Sequence, residues 1–458
     1  MIIKEINSFS KWFKWVFYVL FFVYLIFWLF TIYLSNIQKV SGLEPVLPVT
    51  PQDGEGYISL VQSILEGNGF SSGNQINTLR SPGYPAFVAL IKYTTGSYFS
   101  VTLIQILLVF YCAVLIRKLG ILFDSGRAGE VAASFFILNP LVLTLSLIIL
   151  TDILFLFLFL LGFYFAYSSR YNRANIIGAS IIFAMAIYVR PMGVFALPVF
   201  AAPFLASKLN MKEKMKSIAA MVFILLMAVS PWIYRNYRLT GVADFSSFRA
   251  INLAAYAAPM FLSNQNHTTL AEERLNIEKS IGVPRLKWED LRYSKDVSLA
   301  AERIILQQPF SYLKYHLVSS LPFLFSSSIQ DALDTYKYSM HITIEPSPSA
   351  VKYLVNHDWK LFFGSITKVW WKVTERAMLV FIYLVAICGV WKERKKWLTW
   401  VFVFIPAYLM ILSGPVANAR YAVQALPFIL LLFYSGLLYI KAKIKRKKVI
   451  QENPFMLW

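Results

Sequence analysis

Ten stretches of the chain are almost purely apolar, at about 13–35, 99–116, 131–147, 151–168, 175–189, 192–207, 217–234, 377–391, 397–413 and 424–440. Apolar residues run continuously in each instead of alternating. That pattern predicts helices and argues against a barrel of alternating strands. Several runs are close to the roughly 17-residue lower limit for crossing a hydrocarbon core. The pattern predicts an all-α polytopic membrane protein with about ten transmembrane helices.

The polar connections sort by charge. Lys4, Lys11 and Lys14 precede the first run, and Arg117, Lys118 and Arg127 follow the second. Arg170 and Arg173 follow the fourth run, and Lys208, Lys212, Lys214 and Lys216 the sixth. Lys392, Arg394, Lys395 and Lys396 follow the eighth, and a basic tail from Lys441 to Lys448 closes the chain. Every second connection is basic, so those connections are expected on the cytoplasmic side. Both termini are then inside and the number of spans is even. No small-residue cleavage site follows the first run, which reads as a retained span.

Parity decides the reading of "QQPFSYLKYHLVSSLPFLFSS", Gln307–Ser327. It is apolar enough to span, but one extra crossing would place the "KERKK" at 392–396 outside. An interfacial or re-entrant helix is expected instead, with Lys314 and His316 on its wet side. Three regions follow. Residues 1–235 form a transmembrane catalytic module with a first external loop at 36–98. Residues 236–375 form an external, partly helical region that includes "SNQNHTTLAEERLNIEKS" and "EPSPSA". Residues 376–458 hold the last helices and the basic tail.

Composition agrees with this reading: 58% of residues are hydrophobic, 17% aromatic and only 15% charged. The net charge of +20 would suggest nucleic acid in a soluble protein, but here the basic clusters flank apolar runs and no reading motif accompanies them. No nucleic-acid partner is expected; membrane lipids are. Cys112 and Cys388 lie inside apolar runs and read as packing residues.

On this topology the unusual polar residues gather on the external side. Asp53, Glu55, Tyr57, Arg80 and Tyr84 belong to the first external loop, and Asp152 stands between the third and fourth runs. Arg190 ends the fifth run, Arg235 and Arg238 the seventh, and Arg420 and Tyr421 begin the last. Charges at helix ends near a membrane are costly unless paired or functional. Each has an ordinary reading as well. Asp53 suits a solvated loop or a cap, and Asp152 a helix cap. Arg190 and Arg235 suit snorkelling, Arg420 a helix anchor, and "RSPGYP" a rigid turn. Their convergence from five chain segments favours a common site.

Carboxylates and arginines at that face suit a lipid-linked phosphosugar. Guanidiniums bind phosphate oxygens in bidentate fashion. A carboxylate opposite the leaving phosphate can act as base on an acceptor hydroxyl, and a single displacement at the anomeric carbon inverts it.

The chain also resembles the polytopic C-type glycosyltransferases that use polyprenyl-phosphate sugars, in the branch of protein O-mannosyltransferases and bacterial aminoarabinose transferases. The likeness lies in "DGEGYISLVQSILEGNGF", "LRSPGYPAFVAL", "LTDILFLFLFLLGF", "AIYVRPMGVFALP", "SPWIYRNYRLTG" and "NARYAVQALPFILLL", in that order over most of the chain. The resemblance implies a C-type glycosyltransferase fold and roles for matching positions. Asp53 matches the first-loop acid that acts as general base, with Glu55 as its rival. Asp152 matches the second external-loop acid that helps build the site. Arg80 matches the basic residue that meets the donor phosphate, with Arg190, Arg235 and Arg420 as further phosphate partners. Glu55, Tyr57, Tyr84 and Tyr421 are expected to line the substrate. Leu79 stands where metal-containing relatives carry an acid, so no metal or other cofactor is expected.

The implied function is transfer of a sugar from a polyprenyl-phosphate donor to a hydroxyl on a cell-envelope glycan, lipid or protein, at the outer face of the plasma (inner) membrane. Lipopolysaccharide is one such glycan. Two alternatives remain: a transporter or flippase of lipid-linked sugars, which would use the arginines without a positioned base, and an O-antigen polymerase or ligase.

Overall fold

The computed structural model describes residues 2–40, 53–73, 75–168, 173–339, 360 and 370–452. Arg170 and the "EPSPSA" stretch lie outside the described residues. Helices dominate the rest, and each of the ten apolar runs lies almost wholly within a helix or a pair of abutting helices.

The first half contains α1 (Ile2–Asn7), α2 (Lys11–Val40), α3 (Asp53–Leu65), α4 (Gly83–Thr95), α5 (Phe99–Phe123), α6 (Gly126–Leu138), α7 (Pro140–Leu147), α8 (Asp152–Ser168), α9 (Arg173–Val189), α10 (Leu197–Ala206) and α11 (Met211–Thr240). A two-residue β-ladder, Ser71–Ser72 with Gln75–Ile76, closes the loop between α3 and α4. The second half contains α12 (Phe248–Ile251), α13 (Ala258–Asn266), α14 (Leu270–Ile281), α15 (Leu291–Gln307), α16 (Pro309–Ser319), α17 (Pro322–Phe325), α18 (Ser328–Ser339), α19 (Trp370–Glu393), α20 (Trp397–Ser413), α21 (Ala419–Ala422) and α22 (Leu426–Glu452).

Six described helices are long and apolar enough to cross a membrane: Lys11–Val40, Phe99–Phe123, Met211–Thr240, Trp370–Glu393, Trp397–Val416 and Leu426–Lys445. The run at 131–147 is a broken helix, α6 and α7 meeting at 62°. Asn139 precedes Pro140, which disfavours helical backbone at Asn139. Asn139 is extended, and its side chain accepts from Leu141 N and Val142 N to start α7 afresh. Asp152–Ser168, Asn175–Val189 and Pro191–Ala206 are apolar but shorter.

α8 is apolar all round and largely buried, as a helix at the centre of a bundle should be. Glycines set the closest crossings. A Cβ on Gly389 would meet Leu432 O at 1.9 Å, and one on Gly436 would meet Val385 O at 1.8 Å, so α19 and α22 touch backbone to backbone. The buried Glu130 accepts from Ser10 N at 3.0 Å and from Arg117 Nε at 3.2 Å, which ties the start of α2 to α5 and α6.

A second, smaller core gathers Ala250, Ala254, Ala255, Ala258, Ile277, Val297 and Ala301 around the fully buried Trp288. This compact helical module, α12 to α15, lies within the stretch expected to be an external subdomain. The segment 307–327 is divided between α16 and α17 and forms no single long helix. Lys314 is exposed, whereas His316 turns to the end of α20, with Nε2 2.8 Å from Ile411 O.

Candidate functional site

Asp152 is the first residue of α8 and is 1% exposed. Its Oδ1 accepts from Arg190 Nη2 at 2.7 Å and its Oδ2 from Arg420 Nε at 2.9 Å. Arg190 Nε also donates to Thr151 Oγ1 at 2.7 Å. Local sequence explains each placement. A carboxylate at a helix N-terminus is favoured by the backbone dipole. Pro191 ends α9 and leaves Arg190 extended, with its side chain free to reach back to α8. Asn418 caps α21 by accepting from Arg420 N, which fixes the start of that short helix.

Both carboxylate oxygens are therefore used by guanidiniums. Arg190 is 8% exposed, and its Nη1 is buried with no hydrogen-bond partner among the described residues. The amide of Gln424, four residues beyond Arg420, is likewise buried with neither atom partnered among the described residues. Unpartnered buried donors mark places where water or a ligand belongs.

Tyr84 links this cluster to the first loop. It is fully buried, and its ring meets that of Tyr57 edge to face at 5.1 Å. Burial, then the neighbouring Tyr57 and Asp152, push its phenol far above the ordinary range, against the opposing pull of Arg420. Its hydroxyl donates to Gln105 Oε1 at 2.8 Å, and Gln105 Nε2 donates to Ile148 O at 2.7 Å. The amide thus joins α4 to the strand-like residues that lead into Asp152. Arg80 Nη1 donates to Tyr57 Oη at 3.3 Å, and the guanidinium lies 4.7 Å from the centroid of that ring.

The glycine of "RSPGYP" has a steric reason. A Cβ on Gly83 would stand 2.7 Å from the backbone carbonyl of Tyr188, two residues before Arg190. Only glycine lets the start of α4 approach the end of α9 so closely, and that approach sets Tyr84 beside the arginine cluster.

The structure thus joins Arg80, Tyr57 and Tyr84 in one set of contacts and Asp152, Arg190 and Arg420 in another, with Tyr84 near enough to feel the charges of Asp152 and Arg420. Arg235 stands differently. Its guanidinium donates to Phe70 O at 3.1 Å, Asn77 O at 3.2 Å and Asn236 Oδ1 at 2.8 Å, and lies 4.6 Å from the Trp232 ring. It holds the loop that carries Arg80. Tyr421 is partly buried against the main core, and Glu55 is exposed. Asp53 is the first residue of α3, and its side chain lies outside the described residues. Asp53 and Tyr57 stand four residues apart on α3 and so share a face, whereas Glu55 falls about 200° round from Asp53.

Three neighbouring residues escaped the sequence reading. Gln105 carries a signal, a lone amide within the apolar run at 99–116, costly there without partners. Asn77 and Thr78 carry none; they are ordinary loop residues whose partners come from distant parts of the chain. Among the described residues no group of three or more histidine, cysteine or acidic side chains is gathered as metal ligands.

No family model matches the chain, and no curated protein does. Solved structures similar to it include the oligosaccharyltransferase of Archaeoglobus fulgidus in its apo form, at 13% identity and a TM-score of 0.44, covering 97% of this chain and 52% of that one. Another is the archaeal oligosaccharyltransferase AglB from Archaeoglobus fulgidus in complex with an inhibitory peptide and a dolichol-phosphate, at 12% identity and a TM-score of 0.43, covering 96% of this chain and 52% of that one. The chain spans about half the length of these solved chains.

Proposed function

We propose that the chain is a multi-pass membrane glycosyltransferase that moves a sugar from a polyprenyl-phosphate donor to an acceptor hydroxyl. The observation that carries this reading is the carboxylate of Asp152 shared by Arg190 and Arg420. Arg190 and Arg420 share the one carboxylate of Asp152, and the buried Arg190 Nη1 has no partner among the described residues. Two guanidiniums beside one another at the ends of helices, one with a spare donor, suit a lipid phosphate.

In this reading Asp152 positions the two arginines, which bind the donor phosphate together with Arg80. Arg235 keeps the first loop in place. Asp53 is the general base. It takes the proton from the acceptor hydroxyl, the acceptor oxygen bonds to the anomeric carbon, and the carbon–oxygen bond to phosphate breaks with its electron pair leaving on the phosphate. One displacement inverts the anomeric centre. The basic connections favour ten spans in the plasma membrane, with both ends inside and the site on the external face. The acceptor is a hydroxyl of a cell-envelope glycan, lipid or protein.

The test is binding of undecaprenyl phosphate, against the uncharged undecaprenol, by protein purified in lipid. The phosphate form should bind more tightly, and Arg190→Ala should weaken it by about ten- to a hundredfold, as loss of a charge-assisted pair does. Equal binding of the two lipids would contradict the reading.

A further inference from the structure

Thr78, two residues before Arg80, anchors the loop that carries it. Thr78 is 3% exposed. Its hydroxyl donates to Glu289 O at 3.0 Å and accepts from Leu291 N at 3.0 Å, while its carbonyl accepts from Ser247 N at 3.0 Å. Ser247 Oγ donates to the same Glu289 carbonyl. These partners all belong to the helical module or its entry: Ser247 immediately precedes α12, and Glu289 and Leu291 flank the start of α15, beside the buried Trp288. A single threonine thereby closes a joint between the first loop and a module more than 160 residues further along the chain.

The neighbouring residue completes the joint from the other side. Asn77 Oδ1 accepts from Leu79 N at 3.1 Å and from Arg80 N at 2.9 Å, and Asn77 O accepts from Arg235. The four residues Asn77–Arg80 are therefore held by α11 through Arg235 and by the module through Thr78. Little freedom remains for the backbone of Arg80.

We infer that Thr78 is a positioning residue through which the external helical module sets the place of Arg80 in the anion site. This rests on the donor-phosphate reading above for the role of Arg80, but not for the joint itself. Loss of the hydroxyl strands the buried amide of Leu291 and leaves Glu289 O only its bond from Ser247 Oγ, so the joint between the module and the Arg80 loop loosens.

The experiment compares Thr78→Val, which keeps the shape and removes the hydroxyl, with Thr78→Ser, which keeps the hydroxyl and removes a methyl. Ser294→Ala is a control, since among the described residues Ser294 Oγ bonds only within α15, to Leu291 O. Two readouts are taken on full-length protein in lipid: amide exchange of the peptide covering 77–84, and binding of undecaprenyl phosphate. Thr78→Val should speed exchange there and weaken binding by about tenfold, Thr78→Ser should restore most of both, and the control should leave both near parent. Parent-like binding with faster exchange would overturn the positioning role, provided Arg80→Ala weakens binding. A Thr78→Ser variant as impaired as Thr78→Val would also overturn it, by showing that methyl packing matters and the hydroxyl does not. If Arg80→Ala binds like parent, Arg80 is not part of the anion site and the positioning role is overturned, while the donor reading still stands or falls on the comparison of the two lipids.

Discussion

Asp152 and Arg190 meet at 2.7 Å, carboxylate oxygen to terminal guanidinium nitrogen, in surroundings where Asp152 is 1% exposed. Arg420 closes the other oxygen at 2.9 Å. A pair so buried is held only while both partners are present. Asp152→Ala should leave two guanidiniums without their counter-ion, a loss of about 3–5 kcal/mol by analogy with other broken buried pairs. Thermal unfolding in lipid measures it. Asp152→Asn keeps an acceptor and should fall between Asp152→Ala and parent; equal melting of all three would show that the pair does not stabilise the helix junction.

Gly83 and Gly178 make a matched comparison. A Cβ at Gly83 meets Tyr188 backbone at 2.7 Å, whereas one at Gly178 meets only Phe165 at 3.8 Å. Gly83→Ala should destabilise by about 1–3 kcal/mol, as overpacking does, and should weaken undecaprenyl phosphate binding, because α4 moves away from the end of α9. Gly178→Ala should be neutral or slightly stabilising, since alanine is the better helix former. Similar melting temperatures for both would contradict the close approach.

Asp331 on α18 gives a pH signature. Burial, then Asp334 and Glu375, push its carboxyl up to about 6 against an opposing hydrogen bond from the Ala419 backbone. The folded chain then keeps this proton at a pH where the unfolded chain, near 3.8, has released it. Its contribution to stability is full below about pH 4 and is lost as pH rises through about 6. Asp331→Asn should therefore raise the melting temperature at pH 7 relative to parent and leave it unchanged at pH 4. A gain of equal size at both values would place the cause elsewhere.

Topology has its own check. A cysteine at Lys295, exposed on the helical module, should react with a membrane-impermeant reagent in intact cells, and one at Asp124, in the basic connection after α5, should not. The reverse pattern would invert the chain in the membrane and move the anion cluster to the other face.

The sequence disclosed the helices because apolar runs of this length have few other solutions. Asp152, Arg190 and Arg420 stood out as charges beside apolar runs, and the fold brings the three side chains together. The 62° bend between α6 and α7 was hidden although Asn139 and Pro140 are plain to see, since an apolar run containing one proline can kink or break. Arg235 shows the opposite limit: the residue type suits phosphate, yet its contacts are with loop carbonyls, which only the fold brings near. Thr78 was beyond reach for the same reason, because its partners are supplied by residues 247–291.

Transfer from a lipid phosphate with Asp53 as base can be measured directly. Lipid-linked sugars and envelope glycans are compared by mass spectrometry in cells with the parent, with no copy, and with Asp53→Asn, alongside undecaprenyl phosphate binding by the purified variant. Without the protein one polyprenyl-phosphate sugar should accumulate and that sugar should vanish from its acceptor. Asp53→Asn should reproduce this loss, with transfer down by about 10²–10⁴ as for a missing general base, while still binding the lipid phosphate. A full complement of the sugar on the acceptor in Asp53→Asn cells would contradict the mechanism, and unchanged lipids and glycans without the protein would contradict the function.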